Sequence, residues 1–275
     1  MNNNIPPMFK NKYLAHALGG YEGYKYLNNE PALKAAIKNG HKYYEVDLTL
    51  TTDGHVVPSH GWTPANAERC GMPYSPEFEN MTKELFLKQT VHDMPTMDTE
   101  LLYSYMKKYK NFYWELDLHG LKKDAAIEIT KTLIKDFHND EELFERFLVQ
   151  VNSEEMFEGV DSVYHFKYYQ YLLYKGTTPE KLDEAISFCR KHDIISIALS
   201  VKDANEEYVK TIKDAGLFIL AYSSDKPKTA EKLFKMGVDT ICTNTLNPKQ
   251  DSKTKLKNSF PVKILRKVKR KISFK

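Results

Sequence analysis

Eight short β-like runs alternate with helical segments along most of this 275-residue chain, and that alternation constrains the fold more than any other feature. The runs are KYLAHAL (12–18), KYYEVDLTL (42–50), NFYWELDLH (111–119), RFLVQV (146–151), FKYYQYLLY (166–174), DIISIALS (193–200), LFILAYS (217–223) and DTICTN (239–244). Between them, residues 30–39, 98–109, 122–137, 179–192, 204–215 and 227–236 have helical spacing. Thr178-Pro179 reads as an N-cap with proline in the first turn, and Gly216 and Gly237 follow helix ends. Strands and helices that alternate make a mostly parallel sheet covered by helices. Eight such strands close most economically into a (β/α)8 TIM barrel, with a doubly wound open sheet as the alternative. Residues 52–97 are too long for one turn. They predict a small insertion after the second strand that starts with a hairpin back along HVVPSH.

Period-two parity then picks out the polar positions. Glu45, Asp47 and Thr49 share one face of the second strand, and Glu115, Asp117 and His119 share one face of the third. His16 shares a face with Leu14 in the first. The opposite faces are apolar and suit contact with helices, so the polar faces should look into the barrel mouth. Carboxylates two apart on a strand are most often a solvated edge, and a lone histidine is most often a hydrogen-bonded core residue. Inside a parallel sheet, however, solvated faces on several strands are not expected. A closed barrel would gather Glu45, Asp47, Asp117, His16 and His60 at one end. Oxygen ligands without cysteine suit a hard divalent cation, Mg²⁺ or Ca²⁺, and two imidazoles nearby suit proton transfer.

The stretches LAHALGG (14–20), LNNEPALKAAIKNG (27–40), EVDLTLTTDGHVVPSHG (45–61) and PTMDTELL (95–102) resemble the glycerophosphodiester phosphodiesterase family. That family shares its barrel with phosphatidylinositol-specific phospholipase C. ILAYSSD (219–225) and MGVDTICTNTL (236–246) are similar to the family's last two strands. The Glu-x-Asp to His block is the specific part.

The resemblance implies a metal-dependent phosphodiester hydrolase in which Glu45 and Asp47 bind the cation and His16 and His60 form the acid-base pair. Asp117 matches the third carboxylate by strand position, with His119 in place of a phosphate-contacting Lys. A shift by two would make Glu115 the ligand instead. Glu115 and His119 are therefore the substrate-contact candidates, and Asn28 matches an Asn in the family's helix-opening segment. Ala17 stands where the family has Arg. The two absent basic groups leave a second reading open: a weak or inactive barrel that binds an anionic phospholipid or a phosphate-containing polymer.

Composition adds two expectations. Residues 251–275 hold eight Lys and two Arg against one Asp, so within a chain of net charge +3 the first 250 residues are acidic, at −6. A barrel over residues 1–250 with a basic tail over 251–275 follows. In that tail Val262, Ile264, Leu265, Val268 and Ile272 recur at near-helical spacing among the basic residues, which suits an anionic membrane surface; a disordered, solubilising tail is the plainer reading. Nucleic acid is disfavoured by the acidic body. Three widely spaced cysteines, Cys70, Cys189 and Cys242, argue against a disulfide framework or thiolate zinc site. With no basic-then-apolar leader at the N-terminus, they suit a cytoplasmic protein, peripheral at the inner face of the membrane if the tail binds there.

Overall fold

A computed structural model describes residues 5–118 and 122–250. The eight expected runs form eight parallel strands: β1 (Tyr13–Ala15), β2 (Tyr43–Leu50), β6 (Tyr113–Leu118), β7 (Phe147–Val151), β8 (Tyr169–Leu173), β9 (Ser196–Ser200), β10 (Phe218–Tyr222) and β11 (Thr240–Thr243). They pair in the order β1-β11-β10-β9-β8-β7-β6-β2, and Ala15 opposite Tyr44 joins β1 to β2 and closes the ring. The fold is a (β/α)8 TIM barrel, not the open sheet.

The helices over the outside include α1 (Glu30–Lys38), α4 (Thr99–Lys108), α5 (Lys123–Asp136), α7 (Glu154–Val163), α8 (Pro179–Lys191), α9 (Glu206–Asp214) and α10 (Pro227–Met236); the short α6 (Glu141–Phe144) precedes β7. Their boundaries follow local chemistry. Thr178 caps α8 by accepting the amide of Lys181, with Pro179 at the first position, and Gly237 ends α10 in the left-handed region at φ 110°. Gly159 sits inside α7, where an added Cβ would stand 2.6 Å from the Lys123 carbonyl and 2.8 Å from the Ala126 side chain. It lets α5 and α7 approach backbone to backbone.

Two apolar layers result. The outward faces of the strands and the helices share one large core around Trp114, Leu116, Phe147, Ile197 and Ile219. Inside the barrel, Leu14, Tyr43, Leu148, Ala198, Leu220 and Cys242 pack with Met8 and Phe9 from the N-terminal segment. Phe9 stacks on Phe218 with ring centroids 4.7 Å apart and meets Tyr43 edge-on, which plugs the end where the strands begin. The polar end is therefore the one where the strands finish, the usual place for chemistry in such barrels.

Residues 52–97 form the expected insertion. β3 (Val56–Pro58) runs antiparallel to β2, followed by α2 (Pro64–Cys70), α3 (Lys83–Leu87) and a hairpin of β4 (Thr90–Val91) and β5 (Met94–Pro95). Val57, Ala67, Cys70, Phe78, Met81 and Phe86 give it a small core of its own, which it shares with Leu27 and Ala32 of the barrel. Among the described residues no helix is long and apolar enough to cross a membrane. The basic tail, 251–275, lies outside the described residues.

Candidate active site

Register places the acidic side chains. β2 and β6 pair in parallel with Glu45 opposite Glu115 and Asp47 opposite Asp117, so parity on each strand turns all four carboxylates into the barrel in two layers. One carboxylate oxygen from each of Glu45, Asp47 and Asp117 lies within 4.8 Å of the others. Glu45 and Asp47 are buried and Asp117 is half-buried. Glu115 belongs to the deeper layer, where it is buried and accepts the Tyr43 hydroxyl at 3.1 Å. His119, the other substrate-contact candidate, lies outside the described residues.

Neighbouring backbone aims the cluster. Strand β1 is shorter than its apolar run suggests, because it gives way after Ala15 to a tight turn over His16–Leu18. Ala17 and Leu18 have φ of 47° and 64°, and this turn points the Ala17 amide at Glu45 Oε2, 2.5 Å away. Asn28 reaches Asp47 from the other side. Its Nδ2 donates to Oδ2 at 2.7 Å, and its Oδ1 accepts the Asp47 amide at 3.2 Å.

Three acids this close and this buried resist ionising together. Burial, followed by the charges of Asp47 and Asp117, drives the Glu45 carboxyl well above the usual range. Burial pushes Glu115 up to about 8 although the Tyr43 hydroxyl donates to it. Three carboxylate oxygens crowded within 4.8 Å are what a hard divalent cation draws together, so Glu45, Asp47 and Asp117 fit such an ion.

The two histidines flank the cluster from different elements. His16 follows β1, and its Nδ1 stands 3.1 Å from Asn244 Oδ1 at the end of β11. The Asn244 side chain is oriented by Nδ2, which donates to Asp225 at 3.2 Å, and its backbone amide donates to the same carboxylate at 2.8 Å. Although burial alone would raise it, Asp225 is held down at about 2 by the Lys25 ammonium and by donors from Asn244 and Thr243. Burial lowers the His16 pKa, against the opposing fields of Asp47 and Asp225, and the charge of His60 lowers it further. His60 lies in the loop after β3. That loop is pinned to β2 where Ser59 donates its amide to the Asp47 carbonyl at 2.9 Å and its carbonyl accepts the Thr49 hydroxyl at 2.6 Å. The His60 Nε2 accepts from Arg69 Nη1 at 3.2 Å.

The profile of the glycerophosphoryl diester phosphodiesterase family matches residues 23–247. The chain belongs to that family. It is a phosphodiester hydrolase of the glycerophosphodiester phosphodiesterase type. No curated protein sequence matches it.

Solved structures show the same barrel at low identity. A phosphodiesterase from Oleispira antarctica in complex with the product sn-glycerol-3-phosphate is 15% identical with a TM-score of 0.67, over 85% of this chain and 93% of that one. A glycerophosphodiester phosphodiesterase from Parabacteroides distasonis is 18% identical with a TM-score of 0.67, covering 90% and 98%. One from Thermotoga maritima is 14% identical with a TM-score of 0.63, covering 85% and 95%.

Sequence reasoning passed over Arg69, Tyr26, Asn244 and Asp225. Asn244 carried a usable signal, a polar residue just past the end of a barrel strand. Arg69 carried none, since only the fold of the insertion brings it to the barrel mouth.

Proposed function

We propose that this phosphodiesterase hydrolyses glycerophosphodiesters or close relatives, with a divalent cation, Mg²⁺ or Ca²⁺, held by Glu45, Asp47 and Asp117. His16 and His60 form the acid-base pair. The observation that carries the reading is the convergence of three carboxylate oxygens within 4.8 Å beside two imidazoles brought in by separate loops. Bound there, a hard cation would supply Lewis-acid stabilisation of the phosphate's non-bridging oxygens.

The protein's own groups supply the rest. With Nδ1 of His16 committed to Asn244, Nε2 is the nitrogen left for proton transfer. One imidazole removes the proton from the attacking hydroxyl, that of water or of a neighbouring alcohol in the substrate. The other protonates the departing alkoxide. Asn28 and the Ala17 amide keep Asp47 and Glu45 in position throughout. The sn-glycerol-3-phosphate bound to the Oleispira antarctica protein supports this substrate class.

The test is hydrolysis of a panel of glycerophosphodiesters by the wild type, His16→Ala and His60→Ala. Each variant should lose about 10²- to 10⁴-fold in rate while keeping its melting temperature. Full activity in both variants refutes the acid-base assignment. Cation binding without turnover of any diester would favour the phosphate-binding reading.

The three buried, unpaired cysteines support a reducing, cytoplasmic setting. The charge pattern of residues 251–275 supports attachment to the inner face of the membrane. Salt-sensitive sedimentation with anionic vesicles, lost in a chain ending at Gln250, is the expected result; absent or salt-insensitive binding removes that reading.

A further inference from the structure

Ionised Glu45, Asp47 and Asp117 carry −3, and a divalent cation cancels two of those charges. A phosphodiester brings one more negative charge into the same mouth. The loaded site would then stand at −2, and like charges this close in a partly buried setting oppose binding strongly. A positive group beside the phosphate would offset that charge. Ala17, next to His16, has no charge to give. Lys25 is engaged by Asp225 at 2.6 Å.

Arg69 is placed for this work. It lies in the last turn of α2, whose direction is set at both ends. Thr63 caps the start with Pro64 at the first position, and Gly71 closes the end at φ 62°. A Cβ at Gly71 would stand 2.3 Å from the His92 ring, so the tight exit from the helix needs glycine. Buried Ala67 and Cys70 fix the inner face of α2 and leave Arg69 on the exposed side. From there its Nη1 reaches His60 Nε2 at 3.2 Å, and its guanidinium carbon sits 5.5 Å from the centre of the Tyr26 ring. The same Tyr26 ring meets His16 edge-on at 4.9 Å. One tyrosine thus joins the guanidinium to the first imidazole while the guanidinium touches the second. Its contacts with the His60 acceptor and the Tyr26 ring leave its positive charge in place.

We propose that Arg69 is the phosphate-binding cation of this site, supplied by the insertion rather than by the barrel. The proposal rests on the phosphodiesterase reading above and names a residue that binds its substrate. A guanidinium has donors only and stays charged at any working pH, so in the resting contact His60 Nε2 is the acceptor and carries no proton. The planar fork of donors matches two phosphate oxygens at once, which an ammonium cannot do. When Arg69 turns to the phosphate it releases His60 Nε2 beside that same phosphate. Contact between Arg69 and His60 is then the resting form of the clamp, and Tyr26 is the platform on which it pivots.

The test uses the full chain with Mg²⁺ alone (Ca²⁺ replacing it throughout if only Ca²⁺ binds), inorganic phosphate in the saturating ion, and steady-state hydrolysis of a glycerophosphodiester. Arg69→Ala should bind Mg²⁺ as the wild type does. It should bind phosphate roughly 10- to 100-fold more weakly and raise KM in step, because a charge-assisted hydrogen bond is lost. Arg69→Lys should recover only part of the loss. An unchanged melting temperature excludes a folding effect. Phosphate binding as tight in Arg69→Ala as in the wild type overturns the proposal, and so does a wild type that binds Mg²⁺ but no phosphate. A wild type that binds no divalent cation overturns the cation reading and this proposal together.

Discussion

Asn28 holds Asp47 by two hydrogen bonds at once, one to its carboxylate at 2.7 Å and one from its backbone amide at 3.2 Å. Asn28 is buried and has a φ of 45°, in the left-handed region that Asn tolerates better than most residues. The chain thus turns sharply before α1 to bring an amide side chain against a strand of the barrel. A second partner that orients a carboxylate in this way tunes its affinity for a metal.

Replacing Asn28 with Ala should therefore weaken divalent-cation binding by about 10- to 100-fold, read by calorimetric titration. The fold should survive, because Asn29 independently caps α1 by accepting the Ala32 amide. Unchanged affinity would show that Asp47 needs no such brace.

Asn244 plays the corresponding part for His16. Asn244→Ala should cost about 10-fold in kcat/KM through the loss of one orienting hydrogen bond. Asn244→Asp should act differently. It sets a carboxylate beside the imidazole and should move the histidine-dependent limb of the pH–rate profile upward. Identical profiles for the Asp variant and the wild type would remove Asn244 from contact with the working histidine.

The buried acids predict how stability depends on pH. The Glu115 carboxyl titrates near 4.5 when unfolded and is pushed up to about 8 by burial when folded. The native state therefore holds a proton that the unfolded chain has lost across this window, and stability falls as pH rises through it. The contribution is intact below about pH 4.5 and gone above about pH 8. Glu115→Gln should thus gain in melting temperature relative to the wild type as pH rises from about 5 to about 8 in chelator-treated protein. Scanning calorimetry of both proteins measures this. A difference that stays constant with pH would mean that Glu115 is ionised in the fold.

The sequence made the barrel legible because each strand kept its own signal, an apolar face for the helices and, in β2 and β6, carboxylates at period two. Helix α7 was not legible. EEMFEGVDSV holds Gly159 at its centre, and a glycine inside a helical pattern reads as a break until the packing of α5 against it is known. Strand parity puts His16 on a face with Leu14, but the strand stops at Ala15 and the turn over His16–Leu18 does the aiming. Glu115 and Asp117 could not be ranked by parity, which they share. Register alone does not separate them either, since Glu115 lies level with Glu45; the side-chain positions do, with an Asp117 oxygen within 4.8 Å of Glu45 and Asp47 and Glu115 held by the Tyr43 hydroxyl. Arg69 belongs to an insertion whose fold depends on its own small core, so its partner His60 could not be read from spacing.

Cation dependence tests the central claim most directly. Release of product from a glycerophosphodiester would be followed in wild-type protein stripped with EDTA, then resupplied with Mg²⁺ or Ca²⁺, with Asp47→Asn alongside. Stripped protein should show no turnover, one of the two ions should restore it, and Asp47→Asn should remain inactive at the same ion concentration. Full turnover in EDTA, or restoration that Asp47→Asn shares, would contradict the assignment of Glu45, Asp47 and Asp117 as the ligands of a working cation.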